Sequence, residues 1–246
     1  LKLSHIVFYC LSFATLCYPL SGTPFAYIHA YIFSILAIFN LLIAIKEKNR
    51  YLWFLFPYVC FFAFLSMQTP SAYILLILLF FTVYYFLKER DFKNFKFFLY
   101  GSITSNLLFF FFLFLSKTPI MNFIYQYILF PITIGEGRIS SEETAYIGLL
   151  DQLNLKRIFG EFKFIHFFLI PLIFLSLKNL KKNNKNLNIL NFIIIFSTFA
   201  FFFNQLITAN QIYIFSLIPI LAAVLHVNLN NLKIDPKIFY IILFVV

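Results

Sequence analysis

The chain has 246 residues, of which 62% are hydrophobic, 39 are Phe and only 11% are charged, against about 25% charged in soluble domains. With a mean hydropathy of +0.91, this composition excludes a soluble globular protein and predicts an all-α, polytopic transmembrane helical bundle. The net charge of +10 would point to nucleic acid if it were gathered on one soluble face, but it is distributed over short turns and predicts no nucleic-acid partner.

Apolar runs near the roughly 20 residues that cross a bilayer recur from end to end. They cover Leu3 to Leu20, Phe25 to Ile45, Tyr51 to Met67, Ser71 to Leu87, Phe97 to Leu115, Phe164 to Leu177, Ile189 to Ile207 and Gln211 to His226. About eight complete spans are predicted, with a truncated ninth from near Ile238, in a single transmembrane domain over 1–246. The runs lack the alternation of barrel strands, so they are helices, which bond every backbone group internally. The start at Leu1 and the stop at Val246 inside an apolar run are read as the cut ends of a fragment. No cleavable signal sequence is visible. Cys10, Cys17 and Cys60 lie in apolar runs without metal-ligand spacing and are read as small core residues.

The connections alternate in charge. Lys46, Lys48 and Arg50, then Lys88, Arg90, Lys93 and Lys96, then Lys178, Lys181, Lys182 and Lys185, then Lys233 and Lys237 occupy every second connection. The intervening SGTP, MQTP and TANQ turns carry no charge. The positive-inside rule places the basic turns, and Lys2, in the cytoplasm. The Lys/Asn tract Lys178 to Lys185 reads as a solvated turn.

One long polar interval, Lys117 to Lys163, then faces outward, with its basic and acidic residues balanced. Ile120 to Phe130 reads as a short helix ended by Pro131, with Asn122 and Gln126 on one face. It is too short to span and is expected to lie in the interface or re-enter the bilayer. Ser140 and Glu143 have the spacing of a capping box. They would open a second amphipathic helix, with Lys156 and Arg157 at its C-terminal end and Gly160 closing it.

Charged residues deep within spans mark ion pathways and proton relays, and none is present in these runs. Phosphate-loop, HExxH and Gly-x-Ser-x-Gly motifs are absent as well. The candidate site residues therefore lie at the outward ends of spans and in the long interval. His29 is either a bonded helix-end histidine or a substrate contact. His5, His166 and His226 read as interfacial. Gln68, Gln205 and Gln211 either cap helix ends or line a polar pocket. Arg138, following Gly135 and Gly137, suits bidentate binding of an anionic head group, with Lys117 assisting. Glu136 either compensates Arg138 in a surface turn or serves as a base.

Three stretches carry a resemblance. Pro19 to His29 reads P-x-S-G-T-P-F-x-x-x-H, Gln68 to Tyr73 reads Q-T-P-x-A-Y, and Phe123 to Pro131 reads F-I-Y-Q-Y-I-L-F-P with Arg138 following. Set among many spans with short loops, they resemble the C-type (GT-C) polytopic glycosyltransferases of the dolichyl- or undecaprenyl-phosphate-mannose kind. The resemblance implies inverting transfer of a sugar from a polyprenyl-phosphate donor to an acceptor at the outer face. It also implies a contact with donor or acceptor at His29 and with the lipid phosphate at Arg138. The acidic general base of that family's first outer loop has no counterpart before Lys117, and is expected upstream of Leu1. A lipid-linked oligosaccharide polymerase, flippase or transporter is the alternative, and an accessory membrane protein a third. No cofactor motif is seen, a divalent metal is left open, and the simplest location is a bacterial inner membrane.

Overall fold

The computed structural model describes residues 1–17, 26–133, 153–180, 184–208 and 214–234. All regular structure among them is helical. By its internal contacts the chain forms two compact units, Phe25–Leu153 and Leu1–Pro24 with Asn154–Val246. The polar interval Lys117 to Lys163 is divided between them.

The first unit holds α2 (Ala26–Glu47), α3 (Arg50–Ser66), α4 (Gln68–Glu89), α5 (Phe92–Leu115) and α6 (Ile120–Thr133). Over its most apolar stretch α2 is 56% buried and α5 only 11%, so α2 lies in the core and α5 on the rim. Helix α3 packs against α2, α4 and α5. Its contact with α5 depends on Gly101, where a Cβ would lie 2.1 Å from the Phe54 carbonyl oxygen. Ser105, one turn on, is buried as well, giving the small-residue seam by which membrane helices approach closely. Trp53 is fully buried and stacks on Tyr85 at 5.2 Å. Ser71 donates to the Ala63 carbonyl at 2.7 Å and meets Ser34 at 3.4 Å, joining α4 to α3 and α2.

The second unit holds α1 (Leu3–Cys17), α7 (Leu155–Glu161), α8 (Lys163–Leu180), α9 (Lys185–Thr208) and α10 (Leu217–Leu232). Helix α10 packs on α8 and α1. A buried amide network ties three of its helices together. Asn228 accepts from Asn179 at 2.5 Å and from Asn191 at 2.8 Å, and donates to Asn191 and to the Val224 carbonyl, both at 2.8 Å. Both lone pairs and both protons of that amide are therefore used. Asn231 donates to Asn179 at 2.9 Å.

The span count differs from the sequence expectation. Among the described residues five helices, α2, α4, α5, α8 and α9, are long and apolar enough to cross a membrane, and eight are not supported. Helices α1, α3 and α10 have 15, 17 and 16 residues, about 22 to 26 Å at 1.5 Å per residue, against about 30 Å of hydrocarbon. The expected ninth run lies outside the described residues. Cys10 is exposed on α1 rather than in the core, while Cys17 and Cys60 are partly buried. The Lys/Asn tract is not simply a solvated turn, since Asn179 is helical and fully buried.

Two local expectations also change. Pro131 does not end α6: the helix continues to Thr133, passing through a π-helical turn at Ile124–Leu129. Such a turn re-registers the ladder where proline supplies no N–H. Lys156 and Arg157 fall in the first turn of α7 rather than the last turn of a longer helix. Asn154 caps α7 by accepting from the Arg157 backbone N–H at 2.8 Å, and Gly160 lies inside it. The capping box at Ser140 and Glu143 lies outside the described residues.

Candidate functional site

Within the first unit, α6 is held over the junction of α3 and α4. Tyr127 donates its hydroxyl to the carbonyls of Phe64, at 2.7 Å, and Leu65, two of the last carbonyls of α3, which no N–H within that helix can satisfy. Burial pushes its phenol up to about 12, so it remains a donor throughout the physiological range. Its ring stacks on Phe123 at 5.0 Å and meets Phe64 at 5.8 Å edge-on, and Phe123 meets Phe109 of α5 at 4.7 Å. The Gln68 amide donates to the Tyr127 backbone carbonyl at 2.8 Å. In a regular α-helix that carbonyl would meet the N–H of residue 131, which Pro131 lacks.

Beneath α6 an apolar groove of about 320 Å³ lies between α3, α4 and α5. Phe56, Phe61, Phe64, Leu75, Leu79 and Phe98 line it, with Ser102, Ser105 and Asn106 along the α5 wall. Phe64 belongs both to the groove and to the ring contact with Tyr127, and Phe61 meets Phe109. Helix α6 thus adjoins the groove through Phe64, with Phe123 and Tyr127 half-buried while Asn122 and Gln126 are exposed.

The predicted site residues are dispersed among different environments. His29, in the first turn of α2, is exposed and makes no hydrogen bond among the described residues. Gln68 is partly buried, with its amide engaged by Tyr127. Lys117 is exposed and follows α5 with a left-handed φ of 53°. Gln205 is fully buried on α9 in the second unit. Glu136, Arg138 and Gln211 lie outside the described residues. No hydrogen bond or ion pair joins His29, Gln68 and Lys117 among the described residues.

Several residues with polar work were not singled out by the sequence. Tyr127 carries most of the α6 docking, and its spacing of four from Phe123 was the available signal. Arg157 pairs with Glu161 through Nε at 2.8 Å and Nη2 at 3.4 Å, and reaches the Leu206 carbonyl at 3.5 Å. His166 and His226 are buried within the protein, His166 against the Ile158 carbonyl at 2.8 Å and His226 against the Tyr9 hydroxyl at 3.1 Å. Among the described residues no group of His, Cys, Asp and Glu has the clustering of a metal site. No protein-family model matches the chain, and comparison with curated proteins and with solved structures likewise finds no match.

Proposed function

We propose that this chain is an integral membrane glycosyltransferase of the polyprenyl-phosphate-dependent kind, acting at the outer end of its helices. The observation that carries the reading is the aromatic groove between α3, α4 and α5, one of whose lining rings, Phe64, also meets Tyr127 of α6. Two of its three walls, α4 and α5, are helices long enough to cross a bilayer, and Leu79 on its rim is exposed. An isoprenoid chain could therefore enter sideways from lipid, where apolar walls and ring faces match its chemistry. Its phosphate end would then lie at the level of α6, beside Gln68 and close in sequence to Lys117, Glu136 and Arg138. In this reading Lys117 and Arg138 hold the phosphate, His29 contacts the acceptor or donor sugar, and the polar interval from Lys117 to Lys163 faces away from the cytoplasm.

The test is sugar transfer by membranes carrying the full-length protein, supplied with a labelled polyprenyl-phosphate sugar. Transfer to a membrane or cell-envelope acceptor, reduced at least tenfold by Arg138→Ala as expected for loss of a charge-assisted phosphate contact, supports the reading. Absence of transfer, with labelled lipid appearing instead on the opposite leaflet, would replace it with lipid-linked substrate translocation.

A further inference from the structure

A second cavity, of about 470 Å³, opens where the α2–α3 turn meets the α4–α5 turn. Lys48, Arg50, Lys93 and Lys96 line it, facing a single carboxylate, Asp91. That carboxylate is already engaged, accepting from the Tyr85 hydroxyl at 3.1 Å and from the Asn94 amide at 2.7 Å. None of the four cations has an ion-pair partner among the described residues. The arrangement is held rigidly: Asn94 is buried and donates to the Lys48 carbonyl at 3.2 Å, pinning one turn to the other. Arg50 is oriented by the rings of Tyr51 and Phe97, at 4.9 and 5.7 Å.

A preference for basic residues on the cytoplasmic side explains the sign of these turns, but not this placement. Arg50 is the first residue of α3, and Lys93 and Lys96 lie in the opening turns of α5. Helix N-termini carry positive partial charge and favour anions, so the cations reinforce a field that is already positive. The surroundings favour a membrane-borne ligand over a dissolved one, because Tyr51, Phe92 and Tyr100 beside the cavity are 66%, 69% and 55% exposed, as residues at the lipid interface are.

We infer that this cavity binds the phosphate headgroup of an anionic lipid. Four cations with two helix N-termini supply the charge, and the exposed aromatics receive the glycerol and upper acyl region. The inference does not depend on the glycosyltransferase reading, since it concerns the opposite end of the unit.

The test uses the full chain in nanodiscs of phosphatidylcholine, with and without phosphatidylglycerol, and a separate titration with inorganic phosphate. Retained lipid is read by native mass spectrometry. Arg50→Gln/Lys93→Gln/Lys96→Gln should retain phosphatidylglycerol at least about tenfold less than wild type. Lys178→Gln/Lys185→Gln/Lys233→Gln, which removes equal charge from other basic turns, should retain it normally. Because Arg50 also packs on rings, Lys93→Gln/Lys96→Gln is the companion variant, expected to show an intermediate loss with an unchanged melting temperature in phosphatidylcholine. Equal loss from cavity and control variants would overturn the site in favour of diffuse surface charge. Protection by millimolar inorganic phosphate equal to that by the lipid would overturn the lipid assignment.

Discussion

The side-chain amide of Gln68 and the backbone carbonyl of Tyr127 meet at 2.8 Å across 59 residues of sequence. The contact answers a local defect, because Pro131 removes the N–H that a regular helix would aim at that carbonyl. Together with the Tyr127 hydroxyl on the last carbonyls of α3, it fixes where α6 sits beside the groove.

Tyr127→Phe should loosen α6 without unfolding the unit. The ring stack on Phe123 is kept, but two carbonyls of α3 lose their donor, a change of about 1 kcal/mol or five- to tenfold in a local opening equilibrium. Amide exchange over 120–133 should rise by that factor while α2 stays protected. The same bond sets a pH window. The phenol is raised from 10 to about 12, so its contribution is fully present below pH 10 and is lost as pH rises towards 12. Wild type should therefore show increasing exchange in α6 across that interval, and Tyr127→Phe should not; a matching rise in the variant would rule out the phenol as its source.

Gly101 and Gly160 should respond oppositely to alanine. At Gly101 the new methyl would overlap the Phe54 carbonyl, and since the obstacle is backbone, the α3–α5 seam must part. Overpacking of this kind costs about 1 to 3 kcal/mol. At Gly160 nothing lies within 4 Å, and helix propensity favours alanine by up to about 1 kcal/mol. Thermal melts in one detergent should show a lower transition for Gly101→Ala and an equal or higher one for Gly160→Ala. A neutral Gly101→Ala would mean that the two helices are not in backbone contact.

Much of the helical arrangement was legible because lipid imposes one rule on every run of apolar residues. What the runs mark is the uncharged, apolar part of each helix rather than its full hydrogen-bonded length. Phe97 was the expected start of α5, yet the helix begins at Phe92, capped by Asp91, because Lys93 and Lys96 remain helical while reaching the interface. The start expected at Ser71 reflects Thr69, whose extended backbone breaks α4 one residue before a proline. The groove and the α6 dock were not legible. They depend on Gln68, Tyr127 and Gly101 meeting partners far away in sequence, and no periodicity encodes such pairs. Asn179 was hidden for a different reason: a Lys/Asn-rich tract reads as solvated, although one of its amides completes a buried network.

That network makes a further prediction. Asn228→Leu removes the amide that serves Asn179, Asn191 and Val224 at once, leaving buried polar atoms without partners at about 1 to 3 kcal/mol. Replacing Asn179, Asn191 and Asn228 together by Leu removes donors and acceptors alike, and should cost less than Asn228→Leu alone. If the triple variant is the less stable of the two in detergent melts, the amides contribute net binding between α8, α9 and α10 rather than merely satisfying one another.

The proposed sidedness of the polar interval rests on α5. Its 24 residues rise about 36 Å, enough to carry the chain across a bilayer, which would put Lys93 at its start and Lys117 just past its end on opposite faces. Asn94 bonds the Lys48 carbonyl, which holds both basic turns of this unit together, and on the positive-inside rule theirs would be the cytoplasmic face. In a background with Cys10, Cys17 and Cys60 replaced by serine, Lys117→Cys should react with an impermeant maleimide in intact cells. Lys93→Cys should react only after permeabilisation. The reverse pattern would invert the topology and move the α6 end of the groove into the cytoplasm, where an outward-facing transfer reaction could not use it.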